Sequence, residues 1–396
     1  MDRALNQLSQ MLQEFDCRAT LPITTVALAR NSRVIKKYQA QGIEFAIHGY
    51  RHIDHSQLSL DDQEIRFRKA SQVFQREGIT CTGFRCPYLR WNDGTITALS
   101  RVKLSYDSSN SLVWDVGQKH VTNRYYRALD FYGAQPASKY LATPSLDTKH
   151  DIVRIPYCLP DDESLIERLE WRSEAEMDAV WPAMFRQIHA DGELFNLGLH
   201  PERTADCARG LRATMQAVRS VEAEVWRATL NEIAIWWKAR YQATVSTTSF
   251  EDDQLVISVN GPPGATLLVR GLTVESRHTQ AFDGYLQAQE IPCVVRTTQR
   301  PFIGVSPNSS SKLTHFLKQH GYIVETSEEA GHYSLYLDQT WFKPENERHL
   351  VSQIESGDFP LVRLGRWPHG ARSAFCVTGD IDALTMWDYG LRFVGY

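Results

Sequence analysis

Strand-like and helix-like stretches alternate through about the first 243 of the 396 residues, and this alternation limits the possible folds more than any other feature. Leu5, Leu8, Met11, Leu12 and Phe15 recur at helical spacing. A strand is expected over 17–24. Ser32 then reads as the N-cap of a helix with Val34, Ile35 and Tyr38 on one side, ending at Gly42. The β-rich, apolar run 42–47 predicts a buried strand. A helix over 60–77, a strand over 80–85, a short helix after Gly94 and a short strand reaching Asp107 follow. The pattern continues through a strand over 152–156, a helix over 174–190 and a strand over 194–200. It closes with a helix carrying Leu230, Ile233, Ala234 and Trp237 on one stripe. Such βα repetition predicts an α/β fold with a parallel sheet or barrel.

Beyond residue 243 the pattern changes. Strand candidates over 255–259 and 266–269 flank Gly261-Pro262-Pro263-Gly264, so 244–300 reads as a small β-rich module. From 301 to 364 a small α/β segment is expected: strand 302–305, helix 311–319, strand 322–325 and helix 344–356. The apolar run 373–378 then reads as a buried strand that ends in Gly379-Asp380-Ile381-Asp382. The chain is therefore read as one domain over 1–243 plus 365–396, with the 244–364 region between its parts.

Bulk properties narrow the partners. Hydrophobic content of 42%, charged content of 23% and a net charge of -4 describe an ordinary soluble protein with no footprint for nucleic acid. No apolar run reaches the length of a membrane span, and the first residues lack a signal-peptide core. Seven cysteines without any CxxC pair fit reduced thiols. These features lead to the expectation of a cytoplasmic protein, with homo-oligomerisation left open.

The groups able to do chemistry fall just past the carboxyl ends of expected strands, the rim where βα barrels build active sites. They are His48 and His52, Arg85-Cys86-Pro87-Tyr88, His200, and Asp380 with Asp382; Asp107 is a fifth, weaker case. On a helical turn His48 and His52 would share one face and hold one cation. Two histidines and one carboxylate make an open three-ligand site, a second carboxylate beside it takes a proton from water, and a separate histidine protonates a leaving amine. Each cluster alone has an ordinary reading. The aspartates fit a solvated turn, Asp107 a turn residue, and Cys81 and Cys86 buried inert thiols. Pro160-Asp161-Asp162-Glu163 reads as a helix N-terminus with favourable charge. Tyr50, Trp91 and Trp114 suit sugar stacking and core packing equally. The weight lies in the clusters occurring together.

Those motifs give residues 1 to about 240 a resemblance to the polysaccharide deacetylase (NodB-homology, carbohydrate esterase) family. His48-Gly49-Tyr50-Arg51-His52 resembles the family's metal-binding histidine motif. Arg85-Cys86-Pro87-Tyr88 resembles the motif in which arginine steadies the catalytic aspartate and the residue after proline lines the oxyanion site. Asp107 stands where the fourth motif has an aspartate paired with that arginine, and His200 matches the catalytic histidine. The aspartate motif of the family's opening strand is absent from the N-terminal region, and Thr378-Gly379-Asp380-Ile381-Asp382 resembles its spaced form. The resemblance thus implies a distorted (β/α)7-8 barrel, circularly permuted, with Asp380 as general base and Asp382, His48 and His52 as metal ligands. Gly198 replaces the larger apolar residue of the family's fifth motif, which implies a differently shaped acetyl pocket.

The expected function is metal-dependent hydrolysis of N-acetyl groups on an amino-sugar-containing glycan. Asp380, His200, Arg85 and Asp107 would serve the chemistry, with Tyr88 and Pro87 at the oxyanion site. The expected cofactor is a divalent metal, zinc first, with cobalt, nickel or manganese as alternatives. One rival is a hydrolase of the same fold acting on a small amide or cyclic imide; another is a non-catalytic carbohydrate-binding protein. A further alternative has Asp380 and Asp382 completing the site of a neighbouring subunit.

Overall fold

Parallel strand pairing governs the part of the chain that carries the clusters. The computed structural model describes residues 2–249, 253–383, 386, 387 and 390. It divides into two units, one of Met1–Ala137, Ala142–Ala234 and Ala374–Tyr396, the other of Ser138–Leu141 and Ile235–Ser373.

In the first unit an α/β sheet curls as part of a barrel, the fold class expected from the βα alternation. Its central order runs Tyr157–Leu159, Leu194–Gly198, Ser373–Thr378, Ala19–Ile23, Glu44–Ile47, Gly83–Phe84, Tyr106–Asp107. Every neighbouring pair along this path is parallel. The tail strand therefore lies between two strands from the first half of the chain, with Thr378 opposite both Thr20 and Gly198. All residues of Ala19–Ile23, Leu194–Gly198 and Ser373–Thr378 are buried. That is the composition of a parallel sheet covered on both faces, where near-continuous apolar runs replace alternation.

The flanking helices present apolar stripes. Asp2–Glu14 buries Leu5, Leu8, Met11 and Leu12. Leu60–Arg76 buries Phe67, Ala70, Val73 and Phe74, and Ser59 Oγ caps it by accepting from the Asp62 N–H. The helix expected from Ser32 begins earlier, at Thr25, and runs to Gln39. Asn31 leaves helical geometry at φ -129°, ψ 25°, while its Nδ2 donates to the Ala27 carbonyl. Ser32 thus opens the second half of a broken helix. The helix expected over 174–190 is likewise two, Glu174–Asp178 and Val180–Ala190.

The second unit holds two four-stranded sheets and a three-stranded parallel sheet. Thr244–Ser249, Gln254–Asn260, Cys293–Arg296 and Thr273–Val274 form the first, around Leu255, Ile257, Cys293 and Val295. In the second, Leu361–Leu364 pairs antiparallel with Leu267–Arg270. Arg300–Val305 lies between Val324–Thr326 and Tyr333–Leu337 in the third. Among the described residues, no helix is long and apolar enough to cross a membrane.

Candidate metal and catalytic centre

Two carboxylates reach the strand ends because the tail strand does not stop at Thr378. The Ile381 N–H donates to the Pro22 carbonyl at 2.7 Å, and the Thr24 N–H donates to the Ile381 carbonyl at 3.1 Å. Thr24 Oγ1 donates to the Asp382 carbonyl at 2.9 Å. Gly379 permits this path. A Cβ there would lie 1.8 Å from the Leu199 carbonyl oxygen, so no other residue fits without moving backbone.

The histidines arrive from the next strand. The His48 N–H donates to the Ile23 carbonyl at 2.9 Å, directly after Glu44–Ile47. No helical turn brings the rings together, contrary to the i, i+4 argument. The chain bends at Gly49, φ +77°, and the centroids of His48 and His52 end 5.2 Å apart. His52 Nε2 lies 3.2 Å from Asp382 Oδ1, and His48 Nε2 lies 3.5 Å from the same oxygen. One donor atom from each of the three falls within 4.8 Å of the others, a spacing that suits a shared cation. His48 Nδ1 sits 2.9 Å from the Arg85 carbonyl, which fixes Nδ1 as the protonated nitrogen and leaves Nε2 with a lone pair toward the cluster. The residues present fit a metal, and all belong to one chain. His55 stands outside this group, its buried ring stacked on Phe67, where burial drives its pKa down to about 3.

Asp380 stands beside this triad, its Oδ2 3.6 Å from His48 Nε2. Its other oxygen accepts from Arg85 Nη1 at 2.9 Å. Burial pushes the Asp380 carboxyl up, but the fields of His48, Arg85 and His200 and the Arg85 hydrogen bond outweigh it, leaving the group below its ordinary value. Arg85 is itself fully buried. It donates to the Ser108 carbonyl, to Ser108 Oγ and to Thr378 Oγ1, and its guanidinium lies 4.5 Å over the Tyr157 ring. Asn196 closes the network, donating to Ser108 Oγ and accepting from Thr378 Oγ1. Four strands thereby hold one guanidinium against one carboxylate.

Asp107 corrects the sequence reading. Its hydrogen bonds go to Arg154 Nε at 2.8 Å and Ser109 Oγ at 2.5 Å, and Arg85 turns to Asp380. The register explains the exchange, since Asp107 and Arg154 are opposite each other on paired strands. Ser109 Oγ also accepts from the Cys86 N–H, so Asp107 braces the turn that carries Pro87 and Tyr88. Pro87 is buried at the start of that turn. Tyr88 and Leu89 both have left-handed backbones, φ 58° and 56°, a conformation non-glycine residues keep only where the surroundings impose it.

The carboxylate that serves His200 is Asp162, which sequence reasoning assigned to a helix N-terminus. Its oxygens lie 3.0 and 3.1 Å from His200 Nδ1, and one also accepts the His200 N–H. Burial alone would lower the imidazole pKa, but the Asp162 charge and hydrogen bond, aided by Asp380 and Glu202, raise it well above the usual value. Next to it, burial and the charges of Asp162 and Glu163 push Asp161 up to about 6. The helix-start reading holds for Asp161, which accepts from Ser164 N–H and Oγ. Both aspartates follow Tyr157–Leu159, a strand of three residues and too short to show a period.

His48, His52, Tyr88, His200, Asp380 and Asp382 line one cleft of about 150 Å³. Tyr157 forms part of its wall, in the space that Gly198 leaves open. A Cβ on Gly198 would lie 1.9 Å from the Tyr157 hydroxyl, which donates to Asp161 at 2.9 Å.

Residues 2–107 match the family model described as polysaccharide deacetylase. The match takes in His48, His52, Arg85 and Asp107 and stops well short of the tail strand. No curated protein sequence matches the chain. Among solved structures, a protein described as a polysaccharide deacetylase from Mycobacterium smegmatis is similar at 20% identity, covering 59% of this chain and 76% of its own, with a TM-score of 0.45. A second so described, from Pseudomonas aeruginosa PAO1, has 19% identity over 59% and 72% of the two chains and a TM-score of 0.46. Puue allantoinase has 18% identity over 60% and 72%, with a TM-score of 0.47.

Proposed function

We propose that this chain, which belongs through residues 2–107 to the polysaccharide deacetylase family and so to the hydrolases of carbon–nitrogen amide bonds, removes N-acetyl groups from an amino-sugar-containing glycan. The observation that carries this reading is the meeting in one cleft of His48, His52 and Asp382 with Asp380 and His200. We assign the three ligands to a divalent metal, zinc first, because two imidazoles and one carboxylate leave open positions for water and substrate. Held there, the metal would supply Lewis acidity, polarising the amide carbonyl and lowering the pKa of water in the cleft.

The remaining steps belong to the protein. Asp380, kept ionised by Arg85, takes a proton from the attacking water. The developing oxyanion is met by the backbone N–H of Tyr88, on the turn that begins at Pro87 and that Asp107 braces through Ser109. His200, held cationic by Asp162, donates a proton to the departing amine. Arg85 and Asp162 act as positioning residues, one for each partner in the proton transfers.

We also read the chain as circularly permuted relative to its family, with 365–396 returning to complete the barrel begun by 1–243. The parallel placement of Ser373–Thr378 beside Ala19–Ile23 supports this. The 244–300 and 301–364 stretches are then an insertion between the two parts.

Release of acetate from N-acetylglucosamine oligomers, compared with hydrolysis of small amides and cyclic imides, tests the assignment. Metal-dependent acetate release is the expected outcome. Turnover of the small amides alone would move the chain to the rival reading, and no turnover of any amide by metal-loaded protein would remove it from catalysis.

A further inference from the structure

One helix beside the catalytic cleft packs Leu129 and Tyr132 against Leu89, Tyr157 and Leu159 and turns the neighbouring face to an opening. Asn123–Tyr132 carries Arg124, Arg127, Ala128, Phe131 and Tyr132 at i, i+3, i+4, i+7 and i+8, the spacing that normally marks a core-facing stripe. Here only Tyr125, off that stripe, is buried. The five stripe residues instead line a second cleft of about 450 Å³. This cleft shares Tyr88, Tyr132 and Glu163 with the catalytic one, so the two are continuous along a common wall.

The charges in this opening are uneven. Arg168 is tied to Glu163 through Nε and Nη2. Among the described residues, Arg124 and Arg127 make no ion pair, although they stand three residues apart on one helix face with a third guanidinium in the same cleft. Like charges so placed repel. Aromatic surface completes the site. His52 meets Tyr88 edge to face at 4.3 Å, and Tyr88 meets Phe131 at 5.8 Å. Tyr88 and Phe131 remain 39% and 44% exposed. An aromatic track therefore leads from the candidate ligand His52 out to two guanidinium groups that make no ion pair among the described residues, Arg127 giving its Nε to the Asn123 carbonyl and keeping its terminal nitrogens for an oxyanion.

We propose that the substrate carries an anionic group, carboxylate or phosphate, on or next to the acylated sugar, and that Arg124 and Arg127 bind it while Tyr88 and Phe131 face the ring. The inference rests on the amide-hydrolase reading for turnover, but binding tests it separately. N-acetylglucosamine, its 6-phosphate and N-acetylmuramic acid serve as neutral, phosphate and carboxylate probes. In the metal-loaded full chain, at least one acidic probe should exceed the neutral one by about tenfold in kcat/KM, the size of one charge-assisted contact. That ratio should fall toward one in the Arg124→Ala, Arg127→Ala double variant and shrink as salt is raised. A preference for only one acidic probe supports the site and tells which oxyanion it takes. If none of the three is hydrolysed, the deacetylase reading fails for these sugars, and dissociation constants decide the anion site. Tighter binding of an acidic probe that the double variant loses supports it. Equal values for acidic and neutral probes, or a preference that survives the double variant, overturn it.

Discussion

Oδ1 of Asp382 lies 3.2 Å from Nε2 of His52, although the two residues come from opposite ends of the chain. The approach follows from sheet order. Ser373–Thr378 pairs in parallel with Ala19–Ile23, which pairs in parallel with Glu44–Ile47, so the three strands deliver their following residues to one edge. The meeting of these candidate ligands is thus a consequence of tertiary pairing, and anything that displaces the tail strand takes Asp382 away from the two histidines.

Arg85 is predicted to matter for stability as well as rate. Its guanidinium is fully buried, and its charge is answered by Asp380. Arg85→Ala leaves that carboxylate without its counter-charge and takes a donor from the Ser108 carbonyl and from Thr378 Oγ1, at a cost of about 3–5 kcal/mol in chemical denaturation. Arg85→Lys keeps the charge but not the fork, and should fall between the two. A stability equal to wild type in Arg85→Ala would show that the network contributes nothing.

The pH dependence of turnover should depend on Asp162. His200 has a raised folded pKa, so its protonated form is full at low pH and is lost only as pH rises through that raised value. Its stabilising contribution has the same sign: present below the unfolded pKa and gone above the folded one. Asp162→Asn removes the charge that raises it. The basic limb of kcat against pH should move to lower pH, with kcat down by about 10²–10⁴. A limb that stays in place would assign the proton donor elsewhere.

Gly198→Leu should be strongly unfavourable. Even a Cβ would meet the Tyr157 hydroxyl at 1.9 Å, and that ring lies beneath Arg85. Overpacking of this kind costs about 1–3 kcal/mol, read as a lowered Tm. A variant as stable as wild type would mean that Tyr157 leaves the cleft wall readily.

The order of the βα units and most of the candidate clusters were legible because the strand-end motifs mostly follow buried apolar runs of several residues. His48, His200 and Asp380 could be found that way; Arg85 follows only the two-residue strand Gly83–Phe84 and stood out through the resemblance of Arg85-Cys86-Pro87-Tyr88 to a family motif. The partner of His200 was not legible. Asp162 also follows a buried run, 155–160, but between Asp161 and Glu163 it reads as a charged helix start, and its pairing with His200, 38 residues away, is made only in the fold. Asp107 misled for a related reason. Its pairing with Arg154 depends on a register between short strands, which no local pattern encodes. The kink at Asn31 was not legible: Ser32 reads as the helix start, whereas the helix begins at Thr25 after the N-cap Thr24, in a stretch that reads as the end of a strand.

The most direct test of the account is the metal content of the purified full chain, measured by atomic emission after dialysis against zinc, for wild type and for Asp382→Ala. The account predicts one equivalent of zinc in wild type and about a hundredfold or greater loss of affinity in the variant, with acetate release lost alongside. One equivalent of zinc bound undiminished in Asp382→Ala, with turnover intact, would contradict it.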